Sequence, residues 1–133
     1  MANYPARSSG DQTINYLRAP ISFATGATSV VQVGTVPAGC VVLRSYVVIT
    51  TAFNAGTTNA ATVGTIASPA AYGTAATVLL GTLGVIAGAA TAASPAAATA
   101  PSVDTAVILT MAQAGTAATA GAGFVVVEFA PVG

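Results

Sequence analysis

The sequence predicts an all-β chain, an antiparallel sandwich or barrel behind an extended N-terminal arm. Short runs rich in Val, Ile and Thr recur from Pro20 onward, and Gly, Pro and Asn punctuate them. Apolar residues nowhere repeat at the 3.6-residue spacing of an amphipathic helix. The longest run, Val41–Thr51, is long enough to show two distinct faces when its residues are taken alternately.

The elements follow in chain order. Residues 1–18 hold Arg7, Asp11 and Arg18, half of all the charges, with Pro5 and the turn cluster SSGDQ. They read as an arm reaching towards a neighbouring subunit or ending as a frayed terminus. Residues 19–133 read as the sandwich domain, since 133 residues fit one domain. A chain of this size buries about two thirds of its unfolded surface, enough for a core without disulfides or metal. The expected strands are Ile21–Ala24, Ser29–Val33, Cys40–Thr51, Ala61–Ile66, Ala75–Leu83, Thr105–Met111 and Gly123–Ala130. Pro37–Ala38–Gly39 marks the turn between the second and third. The Ala-rich stretch 87–100 reads as a loop, because Gly88, Pro95 and Pro101 interrupt it.

In Val41–Thr51 one face carries Val41, Leu43, Ser45, Val47 and Ile49, which suits a core. The other carries Val42, Arg44, Tyr46, Val48 and Thr50. That second face mixes an aromatic and an Arg with valines, a composition that fits a subunit interface. In Gly123–Ala130, Val125, Val127 and Phe129 alternate with Phe124, Val126 and Glu128. Arg44 and Glu128 therefore both sit on the less apolar faces, placed to pair within a sheet or across an interface, or to stand solvated. Phe53 is the one large apolar residue of the small-residue loop 52–60; it either anchors in a partner pocket or folds onto its own core. The interface candidates are thus Arg7, Arg18, Arg44, Tyr46, Phe53 and Glu128.

Composition excludes much. Charged residues are 5% of the chain and hydrophobic ones 54%, with formal net charge zero. So neutral a surface is poorly protected against association, so burial against partners, including other copies, is expected. Three Arg balanced by three acids make no electrostatic footprint for nucleic acid. There is no His, which removes Ser-His-Asp and Cys-His catalysis and the common zinc sites. There is no Lys, hence no phosphate-binding Walker loop. Asp11, Asp104 and Glu128 are too scattered to predict a carboxylate pair or a calcium site, and Asp104 reads as a turn residue. Cys40, flanked by valines, reads as a buried structural thiol. The expectation is a non-enzymatic chain with no cofactor and no metal.

Three stretches carry a family resemblance: VGTVPAGCVV at 33–42, VVITTAFNAGTTN at 47–59 with VGT at 63–65, and GTAATAGAGFVVVEF at 115–129. Through them the chain resembles the small head-decoration, or cement, proteins of tailed phages. The arm and the stretch 83–101 carry none of the likeness. The resemblance implies a β-sandwich of jelly-roll type on the outside of a capsid. It implies a homodimer or homotrimer clamping neighbouring major capsid subunits, made in the host cytoplasm, with no membrane or nucleic-acid partner and no catalytic residues to carry over.

Two alternatives stand beside it. One is another virion β-sandwich binding module, disfavoured by the absence of Trp and an aromatic content of 6%. The other is a small phage membrane protein of holin type. No charge lies between Arg44 and Asp104, and 75–90 is apolar, with Gly84 and Gly88 at a helix-packing spacing. Its strongly apolar part, Val78–Ile86, falls short of the roughly 20 residues a bilayer requires, and no Trp, Lys or Arg flanks it. The polar start of the chain shows no secretory signal.

Overall fold

Sheet pairing follows from which valines face inward. The computed structural model describes residues 14–87 and 100–131. Within them lie seven strands: β1 (Asn15–Ser22), β2 (Val30–Val36), β3 (Cys40–Thr51), β4 (Thr58–Thr65), β5 (Gly84–Ala87), β6 (Thr105–Ala114) and β7 (Ala122–Pro131). One sheet has the order β1-β7-β3-β5 and the other β2-β6-β4, and every pairing is antiparallel. Successive strands alternate between the two sheets, so each connection crosses the sandwich. The antiparallel β-sandwich expected from the sequence is the fold observed.

The inward residues of both sheets form one core. Val47, Val63, Val78, Leu80, Val107, Leu109, Val125 and Val127 are fully enclosed in it. Cys40 lies among them as a buried free thiol, as expected. Ser45 is the polar exception: it is enclosed, and its hydroxyl donates to the Tyr72 carbonyl at 2.6 Å. That bond ties β3 to the segment that lines β4, so a buried polar group is satisfied where the sheets meet.

Several expectations are corrected. The first strand starts at Asn15 rather than Ile21, because Leu17, Ala19 and Ile21 turn inward against β7. Residues 15–18, expected in the arm, thus belong to the sandwich. Residues 1–13, with Arg7 and the rest of the arm, lie outside the described residues. At the other end of β1 the chain leaves the sheet as a 3-10 turn, Phe23–Thr25.

The expected strand Ala75–Leu83 is not a regular strand. Thr74 and Thr77 close a turn through their hydroxyls and backbone, and Val78 and Leu80 then face the core with Leu79 outward. Residues 72–80 meet β4 at isolated bridges, Ala60 with Leu79 and Val63 with Gly73, and not as a continuous ladder. The strand lies later, at Gly84–Ala87, pairing with the far edge of β3. Among the described residues no helix is long and apolar enough to cross a membrane. Most of the expected Ala-rich loop lies at residues 88–99, outside them.

The two ends of the sandwich differ. One holds the Pro37–Gly39 turn, where Gly39 N–H donates to the Pro101 carbonyl at 2.9 Å and Ala38 N–H to Asp104 Oδ1 at 2.9 Å. Asp104, expected as a turn residue of its own segment, thus ties the distant Pro37–Gly39 turn to the segment that leads into β6. The opposite end gathers loops 23–29, 52–57 and 115–121, joined by Phe23 N–H to the Gly121 carbonyl and Gly56 N–H to the Thr116 carbonyl. Asn54 clamps two of these loops by accepting from the Thr119 and Ala120 N–H groups.

The β1–β2 side is blunted against strand addition. Pro20 removes a backbone donor from edge strand β1, and β2 carries a bulge between Gln32 and Gly34.

Candidate functional site

The outward residues of the four-stranded sheet form a patch chemically unlike the rest of the surface. Register places them in rows. Tyr16 faces Glu128, which faces Arg44; Arg18 faces Val126, which faces Tyr46; Pro20 faces Phe124, which faces Val48 and then Val85. Three of the four charged side chains among the described residues lie here, the fourth being Asp104.

A bulge in β3 builds the patch. Between Val42 and Arg44 the register shifts, so Leu43 and Arg44 together oppose a single step of β7. This corrects the expected faces. Val42 is buried in the core, Leu43 is exposed, and Val41 is half-buried outside the core, whereas Ser45, Val47 and Ile49 face inward as expected. A strict period of two carried through Val41–Thr51 ignores the extra residue and inverts everything before it.

Arg44 and Glu128, on neighbouring strands, make a forked ion pair: Nε donates to Oε2 at 2.5 Å and an Nη to Oε1 at 3.1 Å. Tyr46 Oη donates to the same carboxylate at 3.4 Å. The hydrogen bond to Glu128 and then its charge raise the Arg44 pKa above its already high ordinary value. The carboxylate side is the sheltered one, since the Glu128 side chain is 15% exposed and that of Arg44 66%. The guanidinium therefore stays available to solvent or to a partner.

Arg18 stacks 4.1 Å above the Phe124 ring, and Arg44 lies 5.7 Å from the Tyr46 ring. Between these pairs Val126 is 5% exposed although it lies on the outer face, covered by its neighbours. A shallow depression lined by Arg44, Tyr46, Val85 and Ala87 borders the cluster. Cation, carboxylate and aromatic side chains are thus held in fixed register on one outer face. The patch offers no nucleophile–base pair, and among the described residues no group of His, Cys, Asp and Glu is placed to hold a metal.

Of the expected interface residues, Arg44, Tyr46 and Glu128 come together and Arg18 lies on the same face. Phe53 does not join them. It is 2% exposed and closes the core beneath the loop end, its ring against Gly121, where the backbone has φ +145° and a Cβ would collide with the ring. No other large apolar residue stands in its loop, and Phe23, at the same end, is 44% exposed. Tyr16 and Val126 were not among the candidates. Alternation along β7 did place Val126 and Phe124 with Glu128, but nothing in the sequence shows β1 pairing beside them.

No protein-family profile and no curated protein matches the sequence. The fold does match a solved one: a chain of the cyanophage Pam1 capsid asymmetric unit, with TM-score 0.69 and 20% identity, over 97% of this chain and 91% of that one. The likeness runs through both sheets and nearly end to end, and at that identity it establishes a shared fold.

Proposed function

We propose that the chain is a structural virion protein of a tailed phage, a decoration or cement protein that binds the outer face of the major capsid lattice and stabilises the head. The observation that carries the reading is the near end-to-end fold match to a chain of a phage capsid. Because the alignment covers most of both chains, the chain it resembles is also small, which favours an accessory shell protein over a major capsid subunit. The order of the strands supports the jelly-roll expectation. In such a roll two four-stranded sheets alternate; here the eighth position, outside β4, is taken by residues 72–80 and their isolated bridges.

The Arg44–Glu128–Tyr46 cluster is the surface offered to a capsid subunit. Tyr and Arg dominate interface energetics, and an exposed guanidinium already oriented by Glu128 loses little further freedom on docking. Attachment to a repeating lattice raises the effective affinity of a modest contact.

The test is co-sedimentation of purified protein with empty heads assembled from the major capsid protein of the same phage. Saturable binding to expanded heads, weakened at least about tenfold by Tyr46→Ala, is the expected result. No binding at any concentration would end the decoration reading. Binding untouched by Tyr46→Ala would move the contact elsewhere on the chain.

A further inference from the structure

The most exposed apolar residues outside the patch lie at the turn end of the sandwich. Ile66, just past β4, is 76% exposed, and Val103, just before β6, is 67% exposed. Together with Thr65, Asp104 and Ala106 they line one groove. Asp104 is exposed there and carries the groove's only charge; one of its oxygens accepts from Ala38 N–H, and among the described residues no cation pairs with it.

A complementary row lies at the same end but on the opposite side. Ile14 just before β1, and Tyr16 and Arg18 within it, are exposed at alternate positions, Ile14 to 63% and Tyr16 to 65%. Arg18 stacks on Phe124 but has no carboxylate partner among the described residues. Asn15 faces Phe129, which also faces Val42, so the row begins level with the start of β3, the strand that leaves the Pro37–Gly39 turn. Thr65 faces Val107, so the groove opens at that same end, on the β4 side. The row offers two apolar side chains and a cation; the groove offers two apolar side chains and a carboxylate.

We propose that the groove of Ile66, Val103 and Asp104 receives the Ile14–Tyr16–Arg18 row of a second copy of the chain. The two surfaces differ, so the contact is head-to-tail in kind and closes as a ring if the rotation permits. Both surfaces lie at one end of the sandwich, so successive copies stand side by side with that end in common. Such a ring presents the same end of every copy to whatever lies beneath it. The Arg18–Asp104 pair fixes the register, and the apolar side chains supply the buried area.

This inference deepens the homodimer or homotrimer that the family resemblance implies, and its test is separate from that of shell binding. The association constant is measured by light scattering over a concentration series for the full chain, for Arg18→Gln and for Asp104→Asn. Asparagine keeps the oxygen that accepts from Ala38, and far-ultraviolet dichroism confirms that both variants fold. Each variant is expected to associate about tenfold more weakly than the wild-type chain. Mixed together they are expected to regain association. The Asp104→Asn chain retains an intact row and the Arg18→Gln chain an intact groove, so one complete contact forms between them.

A wild-type chain that stays monomeric overturns the contact, as does either variant associating like wild type, or a mixture no tighter than its parts. A chain that binds heads as a monomer removes the contact and leaves the decoration reading standing. A chain that associates as described but ignores heads supports the contact and removes that reading.

Discussion

The two outer faces of this sandwich share one core and one backbone geometry, yet they differ in kind. The four-stranded sheet presents Tyr16, Arg18, Arg44, Tyr46, Phe124 and Glu128, aligned in rows and paired with one another. The three-stranded sheet presents Val30, Gln32, Thr35, Thr62, Thr110 and Ala112, with no charged side chain. Sheet formation needs only the inner alternation, which both possess. The chemistry concentrated on one outer face is therefore not required by the alternation that forms the sheet, and it is the face that the proposed docking uses.

The largest effect should come from what the faces share. Phe53→Ala empties a fully enclosed site under the loop end and should lower unfolding free energy by about 3–5 kcal/mol, read from urea denaturation. A loss below about 1 kcal/mol would show that the loops, and not this ring, close the core. The comparison itself is sharpened by truncating one residue on each outer face. Val126→Ala on the aromatic face should cost about 2 kcal/mol, since that valine is covered by its neighbours. Thr110→Ala on the other face should fall within about 0.5 kcal/mol. Equal costs would mean that the aromatic face is no better packed than the plain one.

A smaller effect depends on pH. Burial raises the Tyr72 phenol above its ordinary value of 10.0. The folded chain therefore keeps this proton where the unfolded chain has begun to lose it, so the contribution is full below about pH 10 and is lost as pH rises through the folded value. Tyr72→Phe should flatten the fall in stability between about pH 9 and 11, and an unchanged slope would assign the alkaline loss to another group.

The sequence makes the strong periodic strands legible, and with them half of the patch. β3 is recovered to the residue, and β7 nearly so, because their valines alternate over enough positions to outweigh their context. The Arg44–Glu128 pairing follows from two charges on apolar strands that have no better place for them. What the sequence hides is local and geometric. The bulge at Leu43–Arg44 leaves no Gly or Pro to mark it, so the first residues of β3 read onto the wrong face. The short strand β5 is hidden within the apolar run 75–90, whose earlier residues satisfy the same pattern as a turn and two bridges. Phe53 was ambiguous for a different reason: exposure of a lone aromatic in a loop depends on whether the loops around it meet, and no local signal reports that.

The position of β7 has a consequence for how the molecule comes into being. It lies between β1 and β3, so the four-stranded sheet lacks its middle until Ala122–Pro131 has left the ribosome. No earlier portion of the chain can complete both halves of the core. Pairings between such distant segments are slow to form, since chain closure precedes any gain from contact. Until β7 emerges, β1 has no strand to pair with and β3 has only β5, whereas β2, β4 and β6 can already pair with one another.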